Sequence, residues 1–291
     1  MAKTKQISEV IQNDQPHWVG DGFRVYSLFS MQEFGRKLSP FLLFDYAAPT
    51  TYTPTDKPRG VDSHPHKGFE TVTIVYQGGL EHRDSTGSSG TIGPGDVQWM
   101  TAGSGILHEE KHERQWSKKG GVMQMAQLWV NLPAENKSSP PGYQTILKDQ
   151  IPTVTLADGG GTVRIIAGEY EGTKGPAKTF TPVNVYDMRL KAGHSTTLKL
   201  PEGYNTAMTV LDGAVKINGD TLVPSVAVAI LDPAGEEVQI EATDRDAMLL
   251  ILNGRPIDEP IAAYGPFVMN TTDEIKEAIE DFRAGKMGRL D

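Results

Sequence analysis

Short runs of alternating apolar and polar residues make up much of the chain, and turns that contain glycine separate them. Residues 72–76 alternate, the sequence Gln77-Gly78-Gly79 interrupts the pattern, and a second run starts at Leu80. An alternation with a period of two is typical of a β-strand that buries one face. We therefore expect a hairpin here, and further on a turn at Pro94-Gly95-Asp96 that leads into a strand over residues 97–100.

A similar order of strands and turns recurs in the second half of the chain. Residues 208–211 lead into Asp212-Gly213, residues 214–217 lead into Asn218-Gly219, and an apolar run covers residues 226–231. Asp-Gly and Asn-Gly between apolar runs are strong hairpin signals. We therefore expect an all-β fold made of two copies of one module, related by a distant internal duplication.

The segment between the two copies is polar and rich in proline. Residues 131–142 read NLPAENKSSPPG, a composition that favours neither a strand nor a helix. We interpret this segment as the linker, and we expect one domain at residues 1–138 and a second at residues 139–291.

The clearest helix signal lies near the C-terminus. Thr271 and Glu274 have the spacing of a capping box, and apolar residues recur at helical spacing over residues 275–282. We predict a short helix over about residues 271–285 that packs on a sheet through its apolar stripe.

The amino-acid composition of the chain excludes several classes of protein. Hydrophobic residues make up 38% of the 291 residues, enough for buried cores, and the formal charge of -9 disfavours direct binding to nucleic acid or to an anionic membrane. The chain has no cysteine, which excludes thiolate metal ligands and a cysteine nucleophile. Residues 1–10 lack the apolar core of a signal peptide, and no run of about 18 apolar residues occurs. We expect a cytoplasmic protein, nuclear as well in a eukaryotic host.

Two pairs of metal-binding residue types stand out. His64 and His66 are two residues apart, and so are His108 and Glu110. Residues at this spacing on a strand point to the same face, so two facing strands would bring three imidazoles and one carboxylate together. A single His-x-His is usually coincidental, but a second pair within the same β-module makes coincidence a weaker explanation. Such a set suits iron, manganese, nickel, copper or zinc.

A second motif overlaps the second pair. Residues 108–112 match His-Glu-x-x-His, which on a helix forms a zinc protease site with Glu109 as the base. The flanking sequence disfavours a helix, because Gly103-Ser104-Gly105 precedes the motif and Trp116 is the one large apolar residue between Glu109 and Lys119. We therefore prefer the strand interpretation.

Longer motifs around these residues resemble the pirin family. The resemblance rests on residues 64–73 (HPHKGFETVT), 94–110 (PGDVQWMTAGSGILHEE) and 264–270 (YGPFVMN). It implies a bicupin, with two cupin β-barrels of the jelly-roll type and one mononuclear metal in the N-terminal barrel. It also implies one divalent ion, Fe(II) first and Mn, Ni, Cu, Co or Zn as alternatives. The metal ligands that it implies are His64, His66, His108 and Glu110.

The second copy lacks this set of residues. It has no His-x-His, and near the place expected for the second pair it offers Asp232, Glu236 and Glu237 but no histidine. We expect no metal in the C-terminal barrel. In the first copy, Glu70 lies where many other cupins supply a carboxylate ligand, but pirins use the later glutamate, so we leave Glu70 out of the ligand set.

The remaining histidines and the nearby apolar residues have less specific interpretations. We expect His82 on or beside a hairpin strand, from which it could reach the pocket, although an exposed surface position is preferred. We expect His17 and His112 on the surface, and His194 buried and hydrogen-bonded. Four apolar residues are candidates for the walls of a pocket for a flat aromatic substrate, with ordinary barrel core as the alternative: Phe69, Trp99, Met100 and Ile106.

The resemblance implies a function of one of two main classes. Pirin-like proteins resemble quercetin 2,3-dioxygenases, in which a flavonol binds the metal, a carboxylate takes its proton and O2 attacks the ring. We expect such an oxidoreductase, a quercetinase, with Glu110 as ligand and base. The alternative is a non-catalytic, iron-dependent and redox-responsive transcriptional co-regulator that acts through protein partners. A metal-dependent isomerase or hydrolase on the same fold is a third hypothesis.

Overall fold

The structure, a computed structural model, describes residues 3–290. Strands dominate it, and in chain order they are β1 Ile7–Gln12, β2 His17–Val19, β3 Phe23–Ser30, β4 Phe41–Tyr52, β5 Gly60–His66, β6 Phe69–Gln77, β7 Leu80–Asp84, β8 Ser89–Ile92, β9 Val97–Thr101, β10 Ile106–His112, β11 Gly121–Asn131, β12 Gly142–Ile146, β13 Thr153–Thr155, β14 Gly161–Ala167, β15 Glu169–Tyr170, β16 Thr173–Lys174, β17 Val183–Leu190, β18 Ser195–Lys199, β19 Asn205–Asp212, β20 Val215–Ile217, β21 Thr221–Val223, β22 Ala227–Leu231, β23 Glu237–Ala242, β24 Ala247–Gly254, β25 Ala262–Tyr264 and β26 Phe267–Met269. The α-helices are α1 Met31–Phe34, α2 Arg114–Lys119 and α3 Thr272–Arg283. Short 3-10 helices cover Gly35–Leu38, Ala134–Asn136, Lys148–Gln150 and Ala157–Gly159.

The described residues form two compact units. We name the first the histidine unit, and it comprises Pro16–Ser27, Leu42–Lys148 and the chain from Ile257 onward. The second, the apolar unit, comprises the chain up to Gln15 together with Leu28–Phe41 and Asp149–Pro256. The units therefore interleave along the chain. The sequence suggests instead a single division after residue 138, and this boundary between the two modules stays a prediction.

Each unit is built mainly from one large and one small antiparallel sheet. In the histidine unit the strand orders are β12-β9-β6-β11-β4-β3-β2 and β5-β10-β7-β8. In the apolar unit they are β1-β22-β19-β24-β17-β14-β13 and β18-β23-β20-β21. The second arrangement repeats the first strand for strand, so the predicted all-β fold with two copies of one barrel module is confirmed.

The first predicted hairpin is wrong, although its strands are present. β6 pairs with β9 and β11 in the large sheet, whereas β7 pairs with β8 and β10 in the small sheet. The turn at Gln77-Gly78-Gly79 therefore leads the chain from one sheet to the other. Asp212-Gly213 does the same between β19 and β20, while Asn218-Gly219 does join the paired strands β20 and β21. Alternation identifies a strand, but it does not identify the strand's partner.

Two strands explain why the units interleave. β12 begins at the end of the predicted linker and pairs with β9, so the chain stays in the histidine unit up to Lys148. β1, near the start of the chain, pairs with β22 in the apolar unit. Each strand joins its sheet through backbone hydrogen bonds, which any sequence can make, and the side-chain pattern therefore gave no sign of these pairings.

The predicted C-terminal helix is confirmed as α3. The Thr271 hydroxyl accepts a hydrogen bond from the Glu274 backbone N–H at 3.2 Å, and the Glu274 carboxylate accepts one from the Thr271 N–H at 2.7 Å. This reciprocal pair is the expected capping box. The buried side of α3, with Ile275 and Ala278, packs with Phe267 of the β25–β26 sheet in the histidine unit.

Two short helices, α1 and α2, were not predicted. The Glu113 carboxylate caps α2, because it accepts hydrogen bonds from the backbone N–H groups of Gln115 and Trp116. Helices of four and six residues are too short to show an apolar periodicity. Within residues 3–290, none of the helices is both long and apolar enough to cross a membrane.

Candidate metal centre

Three histidines lie together in the small sheet of the histidine unit. His64 and His66 belong to β5, His108 belongs to β10, and the strands pair so that His108 lies opposite His64. One ligand atom from each side chain can be chosen so that all three lie within 4.8 Å of one another. The ring centroids are 4.4 to 4.9 Å apart. The structure thus brings together three of the four predicted residues, in an arrangement that could hold a metal ion.

Burial keeps two of these imidazoles neutral. His66 and His108 are 5% and 0% exposed, and burial, followed by the neighbouring imidazoles, holds the pKa of both rings well below its usual range. Within residues 3–290, neither ring nitrogen of His108 has a hydrogen-bond partner. A buried ring nitrogen without a hydrogen-bond partner destabilises the folded state. A metal ion would remove this cost, because a neutral imidazole offers it a lone pair. These residues therefore fit a divalent metal.

A backbone hydrogen bond orients the third imidazole. The Nδ1 atom of His64 lies 2.8 Å from the carbonyl oxygen of Asp62. When Nδ1 carries the proton and donates it to this carbonyl, Nε2 keeps its lone pair. Ligand histidines in metalloproteins are commonly fixed in this way, through a hydrogen bond from the ring nitrogen that does not bind the metal.

Glu110 lies on the inner face of β10, but the structure does not group it with the three imidazoles. Its Oε1 atom accepts a hydrogen bond from the Thr73 hydroxyl at 3.2 Å, and its Oε2 atom accepts one from the Gln127 amide at 2.9 Å. The pairing of β10 with β5 is irregular between His108 and Glu110, which changes the register of Glu110. Its role as the fourth ligand stays a prediction.

Three polar residues lie beside the cluster; Asp84 and Tyr143 were not identified from the sequence, and a place beside the pocket was the less favoured interpretation of His82. His82 and Asp84 of β7 lie directly opposite Glu110 and His108, and the Tyr143 ring lies 4.5 Å from the His82 ring. The expectation that His82 is more exposed than buried is wrong, since its exposure is 7%. Alternate residues of β7 are buried, so His82 and Asp84 lie on the same buried face. Their spacing of two residues is the feature of the sequence that could have predicted this.

Two aromatic rings flank His66. The centroids of the Phe69 and Trp129 rings lie 5.1 and 5.4 Å from that of His66, and 4.3 Å from each other. Phe69 was a predicted wall residue, whereas Trp129 was missed. The remaining predicted wall residues are fully buried, two of them in a small apolar cluster: Trp99, Met100 and Ile106.

Glu70 is a buried carboxyl group outside the three-histidine cluster. It is 1% exposed, and its Oε1 atom accepts a hydrogen bond from the Thr101 hydroxyl at 2.7 Å. Burial raises the pKa of Glu70 to about 7, and the hydrogen bond offsets only part of this effect. At neutral pH the group is therefore protonated about half of the time.

The predicted surface position of His112 is wrong. The ring is fully buried, packs edge-on against Tyr52 and Trp116, and has a ring nitrogen 2.9 Å from the Gly22 carbonyl oxygen. Residues 108, 110 and 112 alternate on one strand, so the whole motif is a strand and the protease alternative is excluded. His17 is exposed as expected, while His194 is only partly buried, with Nδ1 3.1 Å from the Ala192 carbonyl oxygen.

The apolar unit has no counterpart to the cluster among the residues that the structure describes. Its strands β18 and β23 occupy the places that β5 and β10 occupy in the histidine unit. Their inward side chains, Leu198, Val238 and Ile240, belong to an apolar cluster that fills this barrel. Apolar side chains there leave no ligand atoms for a metal.

Comparison with known proteins also gives two domains in the chain. The fold and the cluster define a bicupin with a candidate metal site in one barrel. The family model described as Pirin matches residues 22–130, and the model described as Pirin C-terminal cupin domain matches residues 185–288. The chain therefore belongs to the pirin family.

Relatives of the chain cover nearly its whole length. A Pseudomonas aeruginosa protein, provisionally named a quercetin 2,3-dioxygenase, is 52% identical over 98% of this chain and 99% of its own. Mouse Pirin is 37% identical over 99% of this chain and 96% of its own. The crystal structure of quercetin 2,3-dioxygenase from Acinetobacter baumannii matches with a TM-score of 0.97 and 51% identity, over 99% of this chain and 100% of that one. The predicted resemblance and fold class are confirmed.

Proposed function

We propose that the chain is a metal-dependent oxygenase of the quercetin 2,3-dioxygenase type, which opens a flavonol or related aromatic ring with O2. The observation that carries this proposal is the cluster of three imidazoles, in which His66 and His108 are buried and neutral and, among the described residues, neither ring nitrogen of His108 has a partner. The likeness to the quercetin 2,3-dioxygenase of Acinetobacter baumannii supports it.

The proposed ligand set is His64, His66, His108 and Glu110, with Fe(II) as the metal. Imidazole and carboxylate ligands also suit Mn, Ni, Cu, Co and Zn, so the donor set alone does not select iron. When bound, the divalent ion supplies a Lewis acid that stabilises negative charge on a substrate oxygen, and it orients substrate and O2.

Glu110 is the proposed proton acceptor. Each carboxylate oxygen has two lone pairs and accepts one hydrogen bond, from Thr73 or from Gln127. One oxygen can therefore bind the metal while the other accepts a further hydrogen bond from a substrate hydroxyl, and the two donors hold the carboxylate in place. A general base must lie within hydrogen-bonding reach of the proton that it takes.

The aromatic pair beside the cluster gives the proposed substrate an apolar surface. Trp129 is partly buried and lies next to His66, where a flat ring bound at the metal would contact it, and the fully buried Phe69 packs against both rings. Aromatic walls with a few polar groups are typical of sites for small aromatic ligands, and they exclude water from the reacting atoms.

Turnover of quercetin by iron-loaded protein tests this proposal. The protein is loaded with Fe(II) without oxygen, quercetin is added, and air is then admitted. We expect loss of the flavonol absorbance together with release of CO. His64→Ala and Glu110→Ala should each lower the rate by about 100-fold or more, because one loses a ligand and the other a ligand and base.

Glu109→Ala is the matched control. Glu109 lies on the outer face of the same strand, where it pairs with Arg83 at 2.5 Å, so its loss should leave turnover unchanged. Equal losses in the Glu109 and Glu110 variants would contradict the proposed role of Glu110. No turnover with any of the named metals, combined with metal-dependent capture of one specific protein, would favour the co-regulator instead.

A further inference from the structure

A segment near the C-terminus holds the residues next to His66. The Lys67 backbone N–H donates to the Pro266 carbonyl at 3.3 Å, and the Lys67 carbonyl accepts from the Val268 N–H at 3.0 Å. These two hydrogen bonds fix the backbone directly after His66, at the end of β5.

Close backbone packing also fixes the residues between β5 and β6 against the C-terminal segment. Gly68 has φ of 87°, and a Cβ atom there would lie 2.0 Å from the Val268 carbonyl oxygen. The buried Lys137 ammonium donates to the carbonyls of Gly68 and Val268 at 2.8 and 2.9 Å, and to the Asn131 side chain at 2.8 Å. One side chain therefore ties the strand end after His66 to the C-terminal segment.

An ion pair connects the same place to helix α3. The Lys67 ammonium lies 2.6 Å from the Asp281 carboxylate, and these side chains are 10% and 13% exposed. The Asp281 carboxylate also contacts Lys286 at 2.7 Å, but the Lys286 side chain is 69% exposed. Of these two pairs, only the one with Lys67 connects the helix to the residue after a proposed ligand.

The packing of α3 does not depend on this ion pair. Ile275, Ala278 and Met287 already form an apolar cluster with β26, and the capping box at Thr271 fixes the start of the helix. A shielded ion pair loses hydration, so apolar residues of similar volume often stabilise a fold equally well. Its position beside His66 therefore indicates a role in orientation rather than in stability.

We propose that Lys67 and Asp281 are positioning residues of the metal site. Together with the Pro266 carbonyl they hold the end of β5, and with it the His66 ring, in the orientation that binds a divalent metal. The C-terminal segment is then a working part of the site in the first barrel. This inference rests on the proposed metal site, but not on the proposed reaction.

Metal affinity of the full chain, rather than turnover, tests the positioning role. Co(II) is titrated in competition with a chromophoric chelator, and the visible spectrum of bound Co(II) reports its coordination. Lys67→Met and Asp281→Asn should each raise the Kd for Co(II) by about 10- to 100-fold, the usual effect of losing an outer contact of a ligand. Lys67→Arg, which keeps the charge, should restore most of the affinity. Lys286→Met, the matched control, should leave it unchanged.

A double variant separates orientation from folding. Lys67→Met combined with Asp281→Leu leaves no buried charge unpaired, because Lys286, the other partner of Asp281, is 69% exposed. The melting temperature of this variant in chelator should therefore stay close to that of the wild type. It should still bind Co(II) about 10- to 100-fold more weakly, with an altered spectrum.

Two outcomes would overturn the proposal in different ways. Wild-type affinity in the folded double variant, with weakened binding in His64→Ala, removes the positioning role alone. Unchanged affinity in His64→Ala as well removes the metal site and the positioning role together.

Discussion

Glu70 is the residue with the clearest expected effect of pH on stability. Its pKa is about 7 in the folded protein, against an ordinary value of 4.5. Between these values the folded state keeps a proton that the unfolded chain releases, so the free energy of unfolding falls as the pH rises from 4.5 to 7. A pKa difference of one corresponds to about 1.4 kcal/mol, so the loss is about 3 kcal/mol.

Glu70→Gln should remove this loss, because the amide cannot ionise. Urea unfolding of chelator-treated protein at pH 5 and pH 8 measures it, and the variant should gain about 2.5 kcal/mol relative to the wild type between these two values, because part of the loss has already occurred at pH 5. Asp273→Asn, at a side chain that is 89% exposed, should show no such gain. An equal difference between Glu70→Gln and the wild type at both pH values would contradict the prediction.

At the scale of single elements, the capping box of α3 is open to a direct test. Thr271→Ala removes the hydroxyl that accepts from the Glu274 N–H, and one N–H group of the first turn then lacks its acceptor. Loss of a threonine cap costs about 1 kcal/mol, measured as a lower free energy of unfolding in urea. Thr272→Ala, in the first turn but outside the capping box, is the control and should change stability little.

The strands show what a sequence pattern can and cannot predict. Spacing predicted that His64, His66 and His108 meet, because residues two apart on a strand share a face. The same rule applied to β10 places His112 inside as well, although a surface position was expected for it. For His82 a surface position was preferred over one beside the pocket, but it is buried, and its neighbours Glu81 and Arg83 lie on the opposite face of β7. The residues directly before and after a position in a strand point to the opposite face of the sheet, so their charge does not indicate whether that position is buried.

At the scale of the whole molecule, the duplication was predictable and the interleaving of segments was not. The repeated order of turns predicted two modules, and the missing His-x-His predicted which of them lacks the cluster. The places of β1, β12 and α3 depend on pairing between distant parts of the chain. Backbone hydrogen bonds and a single apolar stripe do not specify which sheet receives a segment.

Metal should stabilise the histidine unit and leave the apolar unit unchanged. Binding to the folded state alone adds about 2.7 kcal/mol when the free metal is 100 times its Kd. Amide hydrogen exchange with and without chelator locates this effect: added Co(II) should slow exchange in β5 and β10, whereas β18 and β23, whose inward side chains include Leu198 and Ile240, should exchange at the same rate in both states. His66→Ala should abolish the slowing. Slowing in β18 and β23 that persists in His66→Ala would place a second metal in the apolar unit and would contradict the assignment of one site to one barrel.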